Sequence, residues 1–181
     1  MPIKITYFVH GTTIDNEKGL ASGWQPGELS ELGKEQAEEL GKQISGQHFD
    51  VAFCSGLKRA VNSAELTFAG RCKIIQDQRL RECDYGDLTG HLEQEFKNDL
   101  EKFVDKPFPG GESLKDVEKR TADFLEFLKK NYQGQSLAVF AHHIPQLAFD
   151  VLLKNKTWQQ AISEDWRKTK SWQPGWEYEV K

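Results

Sequence analysis

The chain has 181 residues, 38% of them hydrophobic and 29% charged, which fits a folded soluble protein with a full core, expected as a single domain over 1–181, and excludes a disordered chain. A formal net charge of −4 speaks against nucleic-acid or membrane-surface binding, since both need a positive field. The three cysteines, Cys54, Cys72 and Cys83, have no CxxC spacing, so neither a disulfide framework nor a zinc site is indicated, and the thiols read as buried groups of a cytoplasmic protein.

Ile5-Thr6-Tyr7-Phe8-Val9 is rich in β-branched and aromatic residues and reads as a buried strand, too short for a signal-peptide core or a membrane span. A long polar loop is expected over 11–29. Ser30 suits a helix N-cap, with Leu32, Ala37, Leu40 and Ile44 on one face and a stop at Gly46. A second strand is expected over 51–54 and a helix from about Leu57, with Ala60, Ala64 and Phe68 at spacing four. A weaker strand follows over 73–76, then a loop over 84–90 and a helix over 92–103.

Ser113 with Asp116 forms a capping-box start for an amphipathic helix carrying Leu114, Val117, Thr121, Phe124 and Leu128. Leu137-Ala138-Val139-Phe140-Ala141 is another buried strand, and Pro145 suits the first turn of a helix running through Leu153. The lysines and arginines that follow (154, 156, 167, 168 and 170) read as a solvated face. Trp158, Trp166, Trp172 and Trp176 read as packing of the C-terminal segment, and 177–180 as an edge strand. Alternating strands and helices give an α/β fold with a mostly parallel sheet.

In such sheets ligands bind beyond the carboxyl ends of the strands. The residues that follow the expected strands are His10-Gly11, Ser55-Gly56 with Arg59 one turn on, a loop with Arg81 and Glu82, and His142-His143. Strand alternation would let at most one of the last two histidines enter a site. Neutral imidazole is a nucleophile near pH 7 whose tautomer a backbone carbonyl can fix. Arginine, a second histidine and free N–H groups at the start of the helix after Ser55 favour a phosphoryl dianion, and a carboxylic acid protonates a leaving alkoxide. The set fits phosphoryl transfer. None of the five histidines has HxH or HExxH spacing, so metal catalysis is not expected, and GxGxxG, Walker A and GxSxG sequences are absent.

These residues resemble a known family. His10-Gly11-Thr12-Thr13 with Asn16 and Ser22-Gly23-Trp24, then Ser55-Gly56-Leu57-Lys58-Arg59-Ala60, Leu80-Arg81-Glu82 with Tyr85-Gly86, Pro109-Gly110-Gly111-Glu112-Ser113, and Ala141-His142 are similar to the ordered motifs of histidine phosphatases and cofactor-dependent phosphoglycerate mutases. The resemblance implies a three-layer α/β/α sandwich without metal or other cofactor. It implies His10 as the phosphorylated nucleophile, Arg59 and His142 as phosphate clamps assisted by Asn16, and Glu82 as general acid and then base. Ser22 and Gly23 resemble part of the mutase substrate loop. The expected activity is hydrolysis of a small phosphorylated metabolite. The alternatives are a phosphate-binding protein with little turnover and a phosphoglycerate-type mutase.

Two positions depart from the family pattern. Val9 stands where the family usually has arginine, which removes a contact typically worth ~1.5–3 kcal/mol unless Arg81 or a lysine replaces it. His143 stands where glycine is common.

Overall fold

The computed structural model describes residues 1–171 and 173–181; Trp172, expected to pack the C-terminal segment, lies outside them. The chain runs β1 (Ile3–Val9), α1 (Ile14–Glu17), α2 (Glu31–Gln43), β2 (Val51–Cys54), α3 (Lys58–Phe68), β3 (Ile74–Gln76), α4 (Leu114–Asn131), β4 (Ser136–Ala141), α5 (His143–Leu153), α6 (Trp158–Ser163), α7 (Trp166–Thr169) and β5 (Trp176–Val180). Short 3-10 turns occupy 78–80, 86–88, 93–95 and 97–103.

The strands form one sheet in the order β3-β2-β4-β1-β5. The first four are parallel, and β5 closes the edge antiparallel to β1. Phe8, Ala52, Cys54, Ala138 and Phe140 meet α2 and α3 on one face. Ile5, Tyr7, Phe53, Leu137 and Val139 meet Phe124 and Leu128 of α4 and Phe149 of α5 on the other. That is the expected three-layer sandwich. Burial on both faces accounts for the unbroken apolar strands. A second cluster joins Tyr85, Phe96, Leu100 and Phe108 to Ile144, Leu147, Trp158 and Ile162, and so anchors the segment over 92–108 to α5 and α6.

The capping box at Ser113 and Asp116 is present, and the apolar face of α4 is buried as expected. Four other expectations are corrected. Segment 11–29 is not pure loop: α1 sits in it, capped by Thr13 and Asn16, and Thr13 pairs with Leu29. Helix α2 stops before Gly46, with Ile44 as C-cap. Leu32 is 50% exposed, because α2 packs through Gly33, Ala37 and Gly41 instead. A Cβ on Gly33 would lie 1.9 Å from Thr12 O, and one on Gly41 would lie 2.4 Å from Thr67 O. Small residues therefore set that approach. Finally, 92–103 is two 3-10 turns and not an α-helix, with non-helical backbone at Asp99. Asn98 and Asp99 are weak helix formers, and the segment is held by burying Phe96, Leu100 and Val104.

Among the described residues no helix is long and apolar enough to cross a membrane, and all three cysteines are free thiols.

Candidate active site

The carboxyl ends of β1, β2 and β4 converge. His10 follows β1, and its amide donates to Ala141 O at 3.2 Å, so the ends of β1 and β4 are tied. The Tyr7 hydroxyl donates to His142 O (2.8 Å) and accepts from His142 N (3.1 Å), fixing the backbone of residue 142 from within the core. The rings of His10 and His142 lie 5.0 Å apart.

Hydrogen bonds assign the His10 tautomer. Nδ1–H donates to Gly11 O at 2.7 Å, and Nε2 accepts from Arg59 Nε at 3.3 Å. The free lone pair is thus on Nε2. Burial, then the Arg59 guanidinium, depress the ring's basicity to a pKa of about 3, with smaller contributions from Lys97 and Arg167 against the Gly11 carbonyl. His10 is neutral at physiological pH, as a nucleophile must be.

Arg59, in the first turn of α3, is almost fully buried. Its NH1 donates to Gln25 O (2.6 Å) and more weakly to Pro26 O (3.4 Å), and its NH2 donates to Gly23 O (2.7 Å). The 22–26 loop is therefore pinned to the Arg59 guanidinium. Ser22 Oγ donates to Asp15 Oδ2 at 2.9 Å, which ties the same loop to α1. Asn16 lines the cleft with its Oδ1 committed to Thr13 N (3.1 Å), leaving the side-chain amide N–H groups available. The backbone pull expected from the start of α3 is reduced, because the amides of Leu57 and Arg59 are taken by Ser55 Oγ and Pro26 O.

His142 is fully buried, with Nε2 paired to Ser55 Oγ at 2.7 Å and Nδ1 without a partner. Burial first, then Arg59 and His10, hold its pKa well below 6.5. His143 lines the cleft, while His142 stands fully buried behind it with its ring against that of His10, so one of the two adjacent histidines reaches the cleft surface. Residue 143 begins α5, where strand geometry no longer applies. Its Nε2 pairs with Asp165 Oδ2 at 2.7 Å.

Glu82 is 6% exposed. Its Oε1 accepts from Cys83 N (2.9 Å) and from Ile144 N (3.1 Å) at the start of α5, which leaves Oε2 free to face the cleft as acid or base. Its carbonyl is held by Arg120 NH2 (2.9 Å) and Trp24 Nε1 (2.7 Å). Among the described residues the Glu82 carboxylate makes no ion pair with an arginine; Arg120 reaches only its main-chain carbonyl.

The site opens into a cleft of about 660 Å³ whose lining includes Val9, His10, Asn16, Arg59, Glu82, Lys97 and Arg167. Arg81 does not take the place of the missing arginine; it stacks over Trp24 at 5.2 Å. Besides Arg59, Lys97 and Arg167 also line the cleft, bridged by Glu93 at 2.5 Å each. Arg167 was expected on a solvated face and Lys97 within a helix over 92–103, neither at the cleft. The Glu93/Lys97 spacing of four was a readable cue; nothing local to Arg167 indicated that α7 folds back over the strand ends.

Comparison with known proteins decides the family. Residues 7–174 match the model of the histidine phosphatase superfamily, branch 1. The chain belongs to this superfamily. The phosphoserine phosphatase 1 of Hydrogenobacter thermophilus is 34% identical over 155 residues, covering 81% of this chain and 74% of that protein. A 2,3-bisphosphoglycerate-dependent phosphoglycerate mutase of Nitrobacter winogradskyi is 33% identical over 172 residues, covering 86% and 83%. The crystal structure of an alpha-ribazole phosphatase from Shigella flexneri superposes with a TM-score of 0.73 at 26% identity, covering 89% and 83%. The superfamily assignment agrees with the motif resemblance, and phosphatase-named relatives support a phosphatase.

Proposed function

We propose that this histidine phosphatase superfamily member hydrolyses a small phosphomonoester in two steps through a phosphohistidine on His10. The observation that carries the reading is the Nδ1–H···O=C bond to Gly11, which leaves Nε2 unprotonated between Arg59 and the second imidazole. In the first step Nε2 attacks phosphorus, the ester P–O bond breaks, and the Glu82 carboxylic acid gives its proton to the leaving oxygen. Arg59, His142 Nδ1 and the Asn16 amide hold the phosphoryl oxygens. In the second step Glu82 takes a proton from water, the water oxygen bonds to phosphorus, and the N–P bond breaks. Inorganic phosphate leaves and Glu82 is again protonated.

Relatives named phosphatases favour hydrolysis, and those named mutases keep transfer to a second acceptor as the rival. Val9 favours a further reading, phosphate binding with little turnover. One experiment separates them. Enzyme mixed with ³²P-labelled phenyl phosphate and quenched in acid should carry acid-labile, base-stable label, release free phosphate, and lose both on His10→Ala. Absence of label on the wild type, or equal label on the variant, defeats the phosphohistidine.

A further inference from the structure

His10 and His142 stand at strand ends and Arg59 on a helix, but Glu82 lies in a stretch, 81–85, without regular structure. The 3-10 turn over 78–80 ends two residues before it. Main-chain carbonyls in such a stretch have no ladder partner and need another donor.

Arg120 is that donor. It lies on α4, whose face is fixed by the Ser113 cap and by the buried Val117, Thr121 and Phe124. Its guanidinium carries five N–H groups, and every one is used. NH1 donates to Arg79 O (2.7 Å) and Arg81 O (2.6 Å), NH2 to Glu82 O (2.9 Å) and Glu112 Oε2 (2.9 Å), and Nε to Glu112 Oε1 (2.9 Å). Both side chains of the pair are largely buried, at 15% and 18% exposure. Trp24 Nε1 also reaches Glu82 O, but it is a single donor on a side chain 41% exposed.

Glu112 belongs to the 109–113 motif, to which the reaction steps assign no part. Its Oε2 also accepts from Asp84 N at 3.0 Å, and its amide donates to Asp84 O at 2.9 Å. A Cβ on Gly111 would lie 2.2 Å from Asp84 O, and one on Gly86 would lie 2.1 Å from Pro109 O. The glycines therefore let the 109–112 turn lie against the 84–86 loop, which brings the Glu112 carboxylate to Arg120.

We propose that Arg120, oriented by Glu112, is a positioning residue for Glu82. It fixes the main chain from which Glu82 projects, while Cys83 N and Ile144 N fix Oε1, so that Oε2 is aimed at the leaving oxygen. The planar fork is what the task needs: a lysine is a point charge on a flexible stem and cannot hold three carbonyls and a carboxylate in one plane. The proposal rests on the reading of Glu82 as acid and base.

The test uses the full-length protein and two readouts. The first is kcat/KM with nitrophenyl phosphate, whose leaving group needs no acid, and with ethyl phosphate, whose leaving group does. Arg120→Lys should lose about 10–100-fold with ethyl phosphate at nearly constant KM, and under about threefold with nitrophenyl phosphate. Added to Glu82→Gln, it should cost under about twofold more with either ester. Glu112→Gln leaves the three main-chain bonds of Arg120 in place; it should show the same pattern more weakly, and it carries the test if Arg120→Lys does not fold. The second readout is amide hydrogen exchange. Cys83 and Ile144 amides should exchange about tenfold faster in Arg120→Lys, while the Val139 amide in β4 keeps its wild-type rate.

Equal losses on both esters, or an undiminished loss on the Glu82→Gln background, overturns the proposal. An equal loss on both esters in Glu82→Gln itself removes the acid role and the proposal with it. If the wild type cleaves neither ester, the phosphohistidine reading falls and the exchange rates decide alone: faster exchange at Cys83 and Ile144 upholds the seating of Glu82 by Arg120, and unchanged rates overturn it.

Discussion

The site has two halves built by different means. The inner half, with His10, Arg59, Glu82 and His142, hangs from strand ends and helix starts, and main-chain groups hold most of it: Gly11 O, the carbonyls of the 23–26 loop, Cys83 N and Ile144 N. The outer half, with Glu93, Lys97, Arg167, His143 and Asp165, is held by side-chain ion pairs between segments that share no sheet contact. Main-chain anchoring makes the inner half rigid and specific in chemistry. Side-chain ion pairs that reach solvent hold the outer half less firmly.

The largest effects should break the inner half. His10→Ala should lower kcat/KM by at least about 10⁴-fold, because no other group stands in line to accept the phosphoryl. Glu82→Gln keeps acceptor contacts to Cys83 N and Ile144 N but removes the transferable proton. It should cost about 10²–10⁴-fold with an alkyl phosphate and much less with nitrophenyl phosphate, whose leaving group needs no acid. An equal loss on both substrates would deny Glu82 that role.

Smaller effects sharpen the contrast. Gly33→Ala must shift Thr12 O, next to the nucleophile loop, and should destabilise by about 1–3 kcal/mol, lowering Tm by several degrees in a thermal melt. In an NMR pH titration, His10 should stay neutral from pH 8 down to about pH 4, and the His142 midpoint should also lie well below 6.5. Both pKa values lie below those of the unfolded chain, so unfolding takes up protons as pH falls below about 6.5. Their contribution should then lower stability progressively toward about pH 3. A His10 titration midpoint near 6.5 would contradict the buried, cation-flanked geometry.

Most of the inner half was legible in the sequence because His10 and His142 directly follow strands and Arg59 opens a helix, and strand ends in a parallel sheet are neighbours by construction; Glu82 lies farther on, in the loop after β3 and a 3-10 turn. The five motifs added roles to those positions. Helix α4 was legible for a similar local reason, its capping box and apolar spacing. What failed was tertiary. Leu32 looked like the buried face of α2 until Gly33 and Gly41 proved to be the contact, since close backbone approach leaves no apolar signature. The segment over 92–103 has helical residues at its start but is shaped by burial of Phe96 and Leu100. Arg167 lies in a run of cations, and only the long-range pair between His143 and Asp165 brings it over the cleft.

The Tyr7 hydroxyl grips residue 142 by both its N–H and its C=O from the middle layer, so the spacing of the two imidazoles belongs to the sheet itself. On warming, the His10–His142 pair should come apart only when the sheet melts, whereas the His143–Asp165 clasp on the C-terminal segment should let go earlier.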